Sequence, residues 1–157
     1  MSLSSSTKTA TPILPFLSPV YAALSPLSDP LVRVAAGLFL MPHGAQKLFG
    51  WFGGYGLAAT DQFFQTKLGM PAGAALLTGL IEFFGGLALA LGLFTRPAAA
   101  LAAGMLLVAG ISVHVGNGFF WTGGGFEYPI LWAIVIVAYA VRGGGRFSID
   151  ALIGKEF

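Results

Sequence analysis

The sequence predicts an all-α membrane protein, an antiparallel bundle of four transmembrane helices with a short amphipathic helix in the first extracytoplasmic loop. Three observations carry that prediction. Hydrophobic residues make up 56% of the 157-residue chain and charged residues only 9%, whereas a soluble domain carries about 25% charged residues. The mean hydropathy is +0.83, so the chain lacks the polar groups to cover a water-facing surface. The apolar residues fall into runs near the ~20 residues that an untilted helix needs to cross the hydrocarbon core. Buried helices of a soluble bundle would show polar faces at a period near ~3.6. Residues 72–94 and 98–113 show none.

The elements follow in order. Residues 1–29 are rich in Ser, Thr and Pro. Pro12, Pro15, Pro19 and Pro26 predict an irregular tail there rather than a helix. Ile13 to Leu24 is apolar enough to resemble a signal core, but its prolines and the lone preceding Lys8 favour an uncleaved tail at the membrane surface. The bundle domain covers residues 30–142. Its first span is Leu31 to Gly50, interrupted by Pro42. Residues 51–71 form a loop, within which Asp61 to Leu68 can make the short amphipathic helix. Phe63, Phe64 and Leu68 would face the headgroup boundary, with Asp61, Gln65 and Lys67 facing water.

Ala72 to Phe94 is the cleanest span, with Glu82 its one charge. Arg96 and Pro97 mark a tight connection into the third span, Ala98 to Val115. Gly116 to Glu127 is a Gly- and aromatic-rich loop. Tyr128 to Val141 is the fourth span, short but extendable into its flanks. Residues 143–157 form a C-terminal tail with a short helix over Phe147 to Leu152. Gly79, Gly85, Gly86, Ala99, Ala103, Gly104 and Gly110 are the small residues expected where helices approach closely. The glycine runs at 53–54, 123–125 and 143–145 lack the GK[ST] ending of a phosphate loop and read as helix ends and turns.

Charge placement orients the bundle. With the N-terminus cytoplasmic, Lys8, Arg33, Arg96, Arg142, Arg146 and Lys155 lie on the cytoplasmic side, and only Lys47 and Lys67 lie opposite. The positive-inside rule then predicts a multi-pass protein with both termini cytoplasmic. Trp51, Phe119, Phe120 and Trp121 form the outer aromatic belt. A net charge of +2 without a basic run excludes nucleic acid as a partner. The absence of cysteine excludes disulfides, thiol redox chemistry and Cys-ligated metals in this chain.

Ionisable groups inside a span are costly and point to function. Here they are Arg33, His43, Lys47 and Glu82, with His114 and Glu127 at span ends. Arg33 is expected to snorkel to the cytoplasmic headgroups. His43 and Lys47 share one helix face, because positions four apart align. Helical rise puts His43 roughly 10 Å and Glu82 roughly 15 Å below the outer edge. Every span thus brings polar groups to the outer half. Imidazole and carboxylate together can relay protons, ligate a metal or hydrogen-bond a quinone's carbonyl oxygens. The candidate catalytic residues are His43, Glu82, His114 and Glu127. The candidate binding residues are Gln46, Lys47, Asn117, Trp51 and Phe83, the last two with Phe84, Phe119 and Phe120 as an aromatic wall.

A structural role stands beside this reading: Glu82 pairing with Lys47 or His43 to hold the bundle in register. Haem ligation by His43 and His114 is disfavoured by their different depths, and a non-haem metal site is unsupported by any ligand spacing. No metal site is assigned.

The motifs place the chain. MPHGAQKLFGWFGG at 41–54, YGLAATDQFFQTKLGMP at 55–71, GLIEFFGGLALALGLFTR at 79–96, HVGNGFF at 114–120, GGFEYPILW at 124–132 and GRFSID at 145–150 together resemble the DoxX family of bacterial and archaeal membrane proteins. His43, Gln46, Lys47, Glu82, Arg96, His114, Asn117 and Glu127 fall on the family's motif positions. The Pro-rich tail and Pro42 depart from its pattern. The resemblance implies a bacterial inner (plasma) membrane protein and, from the family's link to quinol oxidase and thiosulfate:quinone oxidoreductase, a redox-associated subunit near the quinone pool. It leaves open whether the chain is itself an enzyme. It also leaves open two other roles: a non-enzymatic membrane partner that supports a larger complex, or a small-molecule carrier. Besides the lipid bilayer, a protein partner or a second copy of the chain is expected.

Overall fold

The computed structural model describes residues 11–156. Its secondary structure is helical throughout, with no β-strand among the described residues. The helices are α1 (Ser18–Phe49), α2 (Gly56–Leu68), α3 (Ala74–Leu91), α4 (Thr95–Asn117), α5 (Glu127–Arg142) and α6 (Ile149–Ile153). Three stretches are long and apolar enough to cross a membrane: Pro15–Phe49, α3 and α4.

The first helix corrects the expected tail. Residues 18–29 are helical, and α1 runs unbroken through Pro26, Pro30 and Pro42. Pro19 sits in the first turn, where a missing N–H costs nothing. The inner prolines each remove one backbone hydrogen bond. At Pro42, within the span, no water competes for the remaining groups, so a helix is still the way to satisfy them. The rest of the expected tail, residues 1–10, lies outside the described residues. With 32 residues, α1 is about 48 Å long at ~1.5 Å per residue.

Glycines set the contact between α1 and α3. A Cβ on Gly37 would lie 2.4 Å from the Gly86 carbonyl oxygen, and one on Gly44 would lie 2.5 Å from the Phe83 nitrogen. The two backbones therefore touch at both places, as small residues permit within a bilayer. Ala99, Ala102 and Ala103 of α4 are likewise fully buried, against a core that includes Leu40, Leu89 and Ile136. Gly104 differs from its neighbours: nothing lies within 4 Å of where its Cβ would be. Outside this core, Leu31, Phe39, Leu101, Ile111 and Ile134 are exposed, the outward apolar surface a membrane protein presents.

Side chains fix the helix ends. Asp61 of α2 accepts the backbone N–H groups of Gly73 and Ala75 at 3.0 and 3.3 Å, capping α3. These bonds tie α2 to the start of α3. α2 begins at Gly56, earlier than the amphipathic stretch predicts, and ends at Gly69 in a left-handed turn with φ 64°. Asp150 of α6 accepts the N–H groups of Phe94 and Thr95 at 2.8 and 2.9 Å and the Thr95 hydroxyl at 2.7 Å, capping α4. Ser148 caps α6 itself, accepting from the Ala151 N–H.

Two segments depart from α-helical pitch. Ile81–Gly85 within α3 and Gly110–His114 within α4 are π-helical. Such one-turn widenings are frequent at functional sites.

Candidate functional site

The wider turn in α3 carries Glu82, whose side chain is buried. Its carboxylate receives Lys47 of α1. The ammonium Nζ donates to Oε1 at 2.8 Å and to Oε2 at 2.6 Å, and also lies 3.4 Å from the His43 carbonyl oxygen, one turn earlier. The Lys47 side chain keeps 22% of its exposure against 8% for Glu82. A charged pair this deep is costly to desolvate and persists because both partners are satisfied.

The pair forms the polar end of a cavity of about 1130 Å³. α1, α3, α4 and α5 build its wall, and Phe64 reaches in from α2. His43, Thr78 and His114 supply further polar groups. Phe39 and Trp132, packed edge to face at 6.0 Å, supply part of the apolar wall. A cavity mostly apolar with a few convergent polar groups is the usual form of a small-molecule site.

His114 closes the π-helical turn of α4. Its Nδ1 lies 2.7 Å from the Gly124 carbonyl oxygen. A carbonyl only accepts, so Nδ1 carries the hydrogen in that bond, and a neutral ring then keeps Nε2 as its acceptor. Asn117 donates to the same carbonyl at 3.2 Å. Glu127 accepts the Trp121 N–H at 3.1 Å and is not among the cavity-lining residues. Its carboxylate organises the loop between α4 and α5, where Trp121 stacks on Tyr128 at 5.0 Å.

The structure thus brings His43, Lys47, Glu82 and His114 to one cavity. The other sequence-derived candidates stand around it. Gln46 donates to the Phe52 carbonyl at 3.2 Å and lines a second cavity of about 490 Å³. Trp51 and Phe83 each pack on Phe49, at 4.9 and 5.3 Å, away from the larger cavity's lining. Among the described residues no three His, Asp or Glu side chains gather closely enough to hold a metal ion.

Arg33 overturns its expected role. It does not snorkel to headgroups: it is 1% exposed. Nη1 donates to the Leu89 carbonyl at 3.0 Å and Nη2 to the Phe147 carbonyl at 2.5 Å, while Nε is buried without a partner. The tail folds back over it, which shields the guanidinium from both lipid and water. Asp150 belongs to the same buried group and is the polar residue that sequence reasoning missed. Burial works to raise its pKa. The hydrogen bonds from Thr95 and Phe94, with the nearby Arg33 charge, outweigh that and hold the carboxyl below its ordinary range. The only sequence signal was the Ser-x-x cap pattern inside GRFSID.

Comparison with known proteins bears on this arrangement. The DoxX family model matches residues 29–115. CatD of Bacillus subtilis, named as a proposed oxidoreductase, is 30% identical over 125 residues, covering 80% of this chain and 86% of that protein. The inner membrane protein YqjF of Escherichia coli is 31% identical over 108 residues, covering 69% of this chain and 82% of its own length. An uncharacterized protein of Haemophilus influenzae is 31% identical over 110 residues, covering 64% of this chain and 82% of that protein. No solved structure matches the chain.

Proposed function

The chain belongs to the DoxX family, and from that premise we propose a redox-associated subunit of the bacterial inner membrane that binds a quinone-class molecule in the larger cavity. The names of YqjF and CatD support the location and the redox association. The observation that carries the reading is the Lys47–Glu82 pair in the wall of a mostly apolar cavity of about 1130 Å³. Lys47 and His43 are donors for a quinone's carbonyl oxygens, His114 offers an acceptor for a quinol's hydroxyl, and Phe39 and Trp132 flank the ring. The remaining apolar wall suits an isoprenoid tail.

The topology that goes with this reading is four antiparallel spans with both termini cytoplasmic. The register of α1 on α3 supports it, since Gly37 meets Gly86 and Gly44 meets Phe83. The fourth span, α5, has 16 residues, about 24 Å at ~1.5 Å per residue. The ion pair of its Arg142 with Asp29 supports a full crossing. In this reading residues 30–142 form the bundle, extended at its start by the helical residues 18–29, and residues 143–157 form a cytoplasmic tail.

Purified protein in detergent tests the ligand. A short-chain quinone should quench the tryptophan fluorescence, with Trp121 and Trp132 in the cavity wall. Glu82→Gln and His43→Ala should weaken that quenching while circular dichroism stays helical. Unchanged quenching in both variants overturns the reading.

A second reading, a non-enzymatic membrane partner, is favoured by the exposed apolar start of α1, including Val20, Tyr21 and Leu24. Removal of residues 11–24 that abolishes co-purification of a protein while leaving quinone binding intact would decide for it.

A further inference from the structure

The two cavities are neighbours with just two lining residues in common, Lys47 and Phe64. The smaller one lies between the end of α1 and α2; its wall is mostly apolar, with Gln46, Tyr55 and Thr60 as polar residues besides Lys47. The larger one holds Glu82. Lys47 therefore spans the partition. It lines both spaces, and its ammonium is held on Glu82 by two short hydrogen bonds. The retained exposure of Lys47, against the burial of Glu82, agrees with that placement.

The surrounding elements are tied to one another by hydrogen bonds. α2 brings Phe64 to the wall and is pinned to α3 through Asp61. The turn on the far side of the smaller cavity is tied down by Gln46. Lys47, with its four-carbon stem, is the part that can move.

We propose that the Lys47–Glu82 pair is the gate of a polar access path, which leads from the smaller cavity into the polar end of the larger one and admits water and small hydrophilic ions. While the pair is closed, Lys47 and Phe64 seal the partition. When Glu82 lets go, Lys47 swings into the smaller cavity and the two spaces join. The inference rests on the larger cavity being a ligand site, because the path would then let a bound ligand's head exchange protons with water while its tail stays in lipid. Its test does not depend on the ligand.

The chain has no cysteine, so single introduced thiols report access directly. Thr60→Cys places one in the smaller cavity and Thr78→Cys one in the larger. Each is treated with a charged, membrane-impermeant methanethiosulfonate in proteoliposomes opened to both faces. Thr60→Cys should react readily whether the pair is intact or removed, which also certifies the fold. Thr78→Cys should react slowly with the pair intact and about tenfold or more faster in the Glu82→Gln or Lys47→Met background. Equal rates with and without the pair, or no reaction of Thr78→Cys in either background, overturn the gate. Gated labelling in a protein that binds no quinone supports the path and overturns the quinone instead.

Discussion

Lys47 and Glu82 meet through both carboxylate oxygens, at 2.8 and 2.6 Å, across the contact of α1 with α3. That geometry serves as strut and as site at once, and substitution separates the two. Lys47→Ala leaves the buried Glu82 carboxylate alone and should cost about 3–5 kcal/mol, whereas Glu82→Ala leaves the partly exposed Lys47 and should cost less. Lys47→Met combined with Glu82→Leu removes both charges and should come within about 1 kcal/mol of the parent or exceed it, because apolar replacements of buried pairs are often neutral or better. Thermal unfolding in detergent reads the stability, and tryptophan quenching reads the binding. The double variant should be folded and unable to hold the quinone. Full binding in that variant would reduce the pair to a strut.

The glycine seam gives a second contrast. Gly37→Ala puts a methyl against the Gly86 carbonyl, with backbone on both sides and nothing flexible to yield. The expected cost is about 1–3 kcal/mol or more, as for other overpacked cores. Gly104→Ala puts its methyl in open space and replaces a poor helix former with the best one, a gain of up to about 1 kcal/mol. Opposite signs in the shift of the unfolding midpoint confirm the seam. A loss at both positions would mean that α4 packs more closely at Gly104 than its surroundings indicate.

Much of this was legible in the sequence for a definite reason. Charged residues are so scarce in the spans that Lys47 and Glu82 stood out, and helical rise put both in the outer half. The DoxX-like motifs pointed to the same positions. What escaped notice depended on distant parts of the chain or on the solvent. Arg33 sits near a span end, where snorkelling is the common outcome, and only the folding back of Phe147 buries it. The prolines of residues 18–29 argue for a break, yet Pro19 falls in the first turn and the helix runs on through Pro26. Glu127 is one residue from a cavity-lining position, Tyr128, and no spacing rule tells which of the two turns inward. The π-helical turns at Glu82 and His114 leave no mark in composition.

Asp150 ties the tail to the bundle, and its ionisation should therefore appear in the stability. Its folded pKa is held below the ordinary carboxylate range by the Thr95 and Phe94 hydrogen bonds and the Arg33 charge, against the opposing effect of burial. A depressed folded pKa contributes stability that is fully present above the unfolded value of about 3.9 and is lost as pH falls through the folded value. The parent should therefore lose stability on acidification below about pH 4. Asp150→Asn keeps the shape but gives up the charge-assisted bonds to the start of α4. It should cost about 1.5–3 kcal/mol at pH 7 and show a flatter acid limb. Asp61→Asn, at the corresponding cap of α3, is the comparison, because Asp61 is more exposed. Unfolding midpoints measured between pH 3 and pH 7 on the three proteins check this. Parallel acid limbs for the parent and Asp150→Asn would show that the tail is held by its packing on Arg33 and not by the carboxylate.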